Sequence, residues 1–98
     1  MKKIITFGEI MLRLKAPGME RLFQSPLLEA TFGGGESNAA VGLAHFGMDV
    51  AFVSLIPRNR IGDACVAELR GQGVDVSRII RQGKRMGLYF LEAGANQR

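Results

Sequence analysis

The chain has 98 residues, enough for one small domain or a piece of a larger one, and it carries a formal net charge of +4. At 47% hydrophobic and 22% charged it has the balance of a soluble globular protein, and no apolar run approaches the ~20 residues of a membrane span. The Lys and Arg residues are dispersed, with no basic stripe interleaved with aromatics, which argues against nucleic acid; the single Cys65 excludes an intramolecular disulfide.

The opening MKKIITFGEI turns acidic at Glu9 after a short apolar run. It reads as a first strand built on Ile4, Ile5, Phe7 and Ile10, not as a signal peptide. Residues 11–16 alternate Leu12 and Leu14 with Arg13 and Lys15, the period of a half-exposed strand that stops at Pro17-Gly18. Residues 27–33 alternate again, with Leu28, Ala30 and Phe32 on one face. Two such strands, joined through a loop around Glu20, predict an antiparallel pair with one wet face. Next comes TFGGGESNAAVGLAHFG, three glycines feeding a helix predicted from Ser37 to Phe46. Ser37 can cap it, Glu36 suits its positive end, and Gly47 ends it. Its small interior residues, Ala39 to Ala44, let it lie close to a sheet.

MDVAFVSLI is a second buried strand, Gly62 to Gly71 a second helix closed by GQGVD, and VSRIIRQ a short strand. A strand over 86–93 sets Leu88 and Phe90 opposite Tyr89 and Leu91. The order predicts an α/β layer with an antiparallel flap attached. The sequence stops at EAGANQR, straight after a strand and with no closing helix, the pattern expected of a truncated protein with an open sheet edge.

The glycines admit three ligand readings. A phosphate loop of the G-x-x-x-x-G-K-[ST] type fails, because no Lys follows them before Lys84. A dinucleotide fingerprint fits Gly33 and Gly35 but meets Asn38 at its third glycine. In the third reading, bare glycine backbone lets sugar hydroxyls approach, Asn38 offers a donor and an acceptor together, and the neighbouring sheet serves as a lid against water.

GGGESNAAVGLAHFGMDVAFVSLIP resembles the N-terminal signature of the ribokinase-like (PfkB) sugar kinases, through Gly33, Gly34, Asn38, Ala40 and Gly47. It departs from that pattern at Glu36, where a small residue is usual, and at Pro57, where a Gly is usual. Within the family, TFGEIMLRL, GGGESN and GLYFLEAGANQR are most similar to 2-keto-3-deoxygluconate kinases. The resemblance implies that residues 1–98 are the N-terminal part of a three-layer α/β kinase domain with a small antiparallel β lid, its strands at about 11–16, 27–33 and 86–93. It implies transfer of the ATP γ-phosphoryl group to a primary hydroxyl of 2-keto-3-deoxygluconate, with a fructokinase or ribokinase type of substrate, or a non-catalytic lid and dimerisation module, as alternatives.

The general base of such kinases is an Asp in a G-A-G-D motif, which does not occur here. The resemblance therefore gives this chain the acceptor-sugar half of the site: the Gly33, Gly34 and Gly35 backbone, Asn38, Tyr89 on the lid, and Arg13 as the local cation for a substrate carboxylate. ATP and Mg²⁺ would be held mainly outside it, the lid would join subunits into a homo-oligomer, and the protein would be cytoplasmic.

Plainer roles stand beside these. The glycines could make a tight turn, Asn38 could be an ordinary first-turn residue, and Tyr89 could be packing. His45 reads as a helix-end residue, Cys65 as a small core residue, and Arg78, Arg81, Lys84 and Arg85 as solvated surface. Glu9 could touch substrate or merely end its strand.

Overall fold

The computed structural model describes residues 2–18, 21–22, 24 and 26–91. Strand β1 (Ile4–Phe7) pairs in parallel with β4 (Val50–Val53), in a register that sets Thr6 opposite Phe52. A parallel pair needs a long crossover, and helix α1 (Gly35–His45) is packed against both strands. Only Ser37 and Ala40 of α1 are fully buried, and these small side chains bring the helix down onto Val50 and Phe52.

The stretch expected as one strand over MDVAFVSLI is two. It breaks at Ser54, and β5 (Leu55–Ile56) takes a new parallel partner, β6 (Ile80–Arg81). The Ser54 carbonyl accepts from Ile80 N at 2.9 Å, so the break exchanges neighbours without orphaning the backbone. Helix α2 (Arg60–Gly71) begins two residues before the expected Gly62. Asn59 explains this, its Oδ1 accepting from Gly62 N at 2.8 Å as an N-cap.

Both helices end the same way. Gly47 N donates to the Ala44 carbonyl and Met48 N to that of Leu43; Gly73 N donates to Arg70 and Val74 N to Leu69. Gly47 (φ 84°) and Gly73 (φ 90°) take the left-handed turn this double closure requires. The core lies between helices and sheet, with Phe52, Ile56, Val50 and Cys65 its largest fully buried side chains. Burial of each large apolar side chain contributes about 1.5–3 kcal/mol. The opposite side of the sheet is bare: Ile5 and Phe7 are 51% and 76% exposed.

A separate sheet carries β2 (Met11–Lys15) at its centre, between β3 (Glu29–Gly33) and β7 (Leu88–Leu91). The expected antiparallel lid is therefore mixed: β2 and β3 run antiparallel, but β2 and β7 run parallel. The reason is connectivity. β2 follows β1 through residues 8–10 and β7 follows β6 through 82–87, so both enter the lid from the same end. The strands are also shorter than the predicted 11–16, 27–33 and 86–93, and residues 92 and 93 lie outside the described residues, as does Glu20 of the joining loop.

Candidate functional site

The three glycines do three different things. Gly33 is buried at the end of β3, opposite Met11, and a Cβ there would sit 3.0 Å from the Tyr89 hydroxyl. Gly34 is extended (φ 174°, ψ 148°), so its backbone does not demand glycine; a Cβ would instead run into the Glu9 carbonyl oxygen. Gly35 has nothing within 4 Å of a Cβ and is already the first residue of α1. The helix thus starts earlier than the expected Ser37. Ser37 is not its cap: the hydroxyl points back and donates to the Gly34 carbonyl at 3.0 Å.

The lid brings two of the expected site residues together. Arg13 stands opposite Thr31 on one side and Tyr89 on the other, a single row across three strands. Directly opposed residues share a face. Arg13 Nε donates to Thr31 Oγ1 at 2.9 Å, and the guanidinium enters no ion pair with a described residue. Tyr89 is half-buried and leans one row along, over Gly33. The other lid face is apolar, with Leu12 and Phe32 packed against the core.

Asn38 is elsewhere. It is exposed, and it lines a cavity of about 290 Å³ between α1 and α2, together with Phe32, Val41, His45, Glu68 and Gln72. None of Arg13, Gly33, Gly34 or Tyr89 lines that cavity. His45, expected as a helix-end residue, meets Gln72 Oε1 there at 2.6 Å.

A second group gathers at the carboxyl ends of β1 and β4, where Glu9, weighed from sequence as a substrate contact, is joined by residues the sequence did not single out as site residues. A cavity of about 470 Å³ opens there, lined by Phe7, Gly8, Glu9, Val53, Leu55 and Ile80, with Ser54. Ligands of parallel α/β sheets bind outside these strand ends. Glu36 lies over Gly8 so closely that a Cβ at Gly8 would run into its carboxylate. The small residue that Glu36 displaces from the family pattern is thus matched by a glycine just after β1. Glu9 ties the parts together: its carbonyl abuts Gly34, its carboxylate approaches Gly87, and it lines the cavity. For the contact of Glu36 with Gly8, the one signal in the sequence is the departure at Glu36.

Among the described residues the three glycines leave no open cradle for a phosphate group. The cradle that three glycines could offer is taken up at Gly33 by Tyr89 and at Gly34 by Glu9. Among the described residues no three His, Cys, Asp or Glu side chains converge as metal ligands. Cys65 is fully buried, and burial, with a lesser contribution from the nearby Glu68 charge, pushes its thiol up to about 11. No helix among the described residues is long and apolar enough to cross a membrane.

A parallel sheet with helices on one face, a lid, and a glycine turn beneath a lid tyrosine together define an α/β fold of the ribokinase-like kind. The whole chain, residues 1–98, matches the pfkB family of carbohydrate kinases, and it belongs to that family. It is 36% identical over 94% of its length to the 2-dehydro-3-deoxygalactonokinase of Haloferax volcanii, covering 29% of that protein. The crystal structure of the 2-dehydro-3-deoxygluconokinase of Thermotoga maritima superposes with a TM-score of 0.92 at 49% identity, over 95% of this chain and 28% of that one. A sugar kinase of Pyrococcus horikoshii in complex with ATP superposes with a TM-score of 0.82 at 27% identity, over 91% of this chain and 30% of that one. The chain thus spans less than a third of the length of these relatives.

Proposed function

We propose that residues 1–98 form the N-terminal part of a longer kinase domain and supply the acceptor half of an ATP-dependent sugar-acid kinase site. The substrate class is a 2-keto-3-deoxy six-carbon acid of the gluconate type. The observation that carries this reading is the lid row: the Tyr89 hydroxyl held above Gly33, beside an Arg13 guanidinium braced by Thr31. Such a row can meet a sugar hydroxyl with the tyrosine and a carboxylate with the remaining guanidinium N–H groups, while the lid excludes water. The likeness to the Haloferax and Thermotoga proteins, whose named substrates share the 2-keto-3-deoxy acid skeleton, supports it. Asn38 acts in this reading only by approaching the lid face when substrate is bound.

ATP, with Mg²⁺, would supply the phosphoryl group from outside this set of residues. The partly exposed apolar lid residues Leu88 (45%) and Phe90 (51%) suit pairing of two lids, and hence a homo-oligomer. A reducing, cytoplasmic setting suits the lone buried thiol of Cys65.

A chimera tests the reading: residues 1–98 replace the matching segment of the Thermotoga maritima enzyme. It should phosphorylate 2-keto-3-deoxygluconate in preference to fructose. Tyr89→Phe should raise the KM for the sugar acid about fivefold, with kcat little changed, as expected for one uniform hydrogen bond of about 1 kcal/mol. A preference for fructose would favour a fructokinase-type site. An unchanged KM would reduce Tyr89 to packing.

A further inference from the structure

Four exposed cations lie on the two segments that follow the carboxyl ends of the parallel pair β5 and β6. Arg58 and Arg60 flank the cap of α2, and Lys84 and Arg85 lie in the segment from β6 to β7. One side chain holds the two segments together: Asn59 Oδ1 accepts from Gly62 N at 2.8 Å while its Nδ2 lies 3.5 Å from the Lys84 carbonyl oxygen. None of the four enters an ion pair with a described residue. The nearest acid on α2, Asp63, is already taken by Arg81, whose Nη2 lies 2.5 Å from its carboxylate. Arg81 is further fixed by the Ile56 and Pro57 carbonyls. Of Arg78, Arg81, Lys84 and Arg85, expected as solvated surface, Arg81 is therefore neutralised, and Arg78, Lys84 and Arg85 enter no ion pair with a described residue.

The same segment ends at Gly87, where a Cβ would meet the Glu9 carboxylate at 3.5 Å and whose carbonyl accepts from Leu12 N at 2.8 Å. Segment 82–87 thus reaches the edge where Gly8 and Glu9 line the 470 Å³ cavity, and the Glu9 and Glu36 carboxylates there are the charges the four cations must outweigh. We propose that Arg58, Arg60, Lys84 and Arg85 form a cationic rim that raises the local concentration of an anionic acceptor at the lid. It acts through its field rather than by contact. The choice of acceptor rests on the sugar-acid reading above; the field itself does not.

The field is tested first on the chain alone, by NMR relaxation from an anionic nitroxide (carboxy-PROXYL) and its neutral amide (carbamoyl-PROXYL). At 10 mM salt the amides of Gly8, Glu9 and Tyr89 should feel the anionic probe at least about twofold more than the neutral one. That excess should vanish in an R58Q/R60Q/K84Q/R85Q variant and persist in K2Q/R70Q/R78Q, which removes exposed cations from the amino-edge side. Equal relaxation by the two probes in the unmodified chain overturns the rim, whatever the enzyme's substrate. In the chimera, the quadruple variant should then lower kcat/KM for 2-keto-3-deoxygluconate about five- to tenfold at 10 mM salt. The loss should shrink to less than about twofold at 0.5 M, for four charges on the order of 10 Å from the anion. The methyl ester of the same acid should show no such loss. An equal loss with the ester, or a loss insensitive to salt, also overturns the proposal. A rim seen by the probes in a chimera inactive on the sugar acid would leave the rim standing and overturn the substrate reading alone.

Discussion

Substituting the three glycines one at a time by alanine should give three different outcomes, because each has a different neighbour. At Gly34 the dihedrals suit alanine, so the cost is purely steric, and the obstacle is the backbone oxygen of Glu9 with Ser37 Oγ 3.2 Å away. A carbonyl cannot rotate aside as a side-chain tip can, and the following residue, Ile10, is only 5% exposed. Overpacking of this kind costs about 1–3 kcal/mol. For a domain of this size about 2 kcal/mol lowers Tm by roughly 8–16 °C. At Gly35 a methyl group meets nothing, and replacing a helical glycine should stabilise by about 0.5–1 kcal/mol, raising Tm by a few degrees. At Gly33 the methyl group meets only the tip of Tyr89, which can swing away at small cost to stability. That movement is visible directly, since Tyr89 is the sole tyrosine and there is no tryptophan, so intrinsic fluorescence reports it alone. Thermal and urea melts followed by circular dichroism decide the matter. If Gly34→Ala and Gly35→Ala shift Tm in the same direction, the close approach of Glu9 is not what holds glycine at position 34.

Acid should weaken the fold through one ion-pair cluster. Lys3 Nζ lies 2.7 Å from Asp75 and 3.0 Å from Asp49, and with the Ser77 amide it holds the Asp75 carboxyl far below the usual carboxylate range. A depressed folded pKa stabilises above the unfolded value of about 3.9 and is lost as pH falls below it. Between about pH 4 and pH 2 the Tm of the chain should therefore fall more steeply than that of Asp75→Asn; parallel curves would refute the coupling. Cys65, with its thiol pushed up to about 11, should resist alkylation at pH 8 until the chain is unfolded in urea, and labelling of the folded chain at the rate of a free thiol would contradict its burial.

Much of the fold was legible in the sequence because its signals were local. The alternation in 11–15, the small residues of α1, and the glycines at 47 and 73 each act within a few residues. Relations between distant segments were not legible. The direction of β7 depends on which end of the lid residues 82–87 reach. The split at Ser54 depends on partners at both Ile4–Phe7 and Ile80–Arg81. The site followed the same rule. Arg13 and Tyr89 sit on one lid face, as their alternation required, whereas Asn38 turned toward Glu68 and Gln72 because the pitch of α1, starting at Gly35, fixed its direction. The pairing of Glu36 with Gly8 joins residues 28 positions apart, and no spacing announces it.

Among the described residues, three connections between lid and body lie at one end of the lid: residues 8–10 before β2, Gly34 after β3, and 82–87 before β7. On these three connections, with the apolar face resting on the core through Leu12 and Phe32, the lid would turn most easily about the line they share. For such a turn Gly33 and Met11 lie on the axis, and Lys15, Glu29 and Leu91 lie at the far margin. A five-residue strand is about 17 Å long, so a 20° turn carries that margin about 6 Å. The Arg13–Thr31–Tyr89 row, midway, travels about half as far. A substitution near the axis, such as one at Gly34, sets the angle of the whole plate, whereas one at the margin alters only what the plate meets when it comes down.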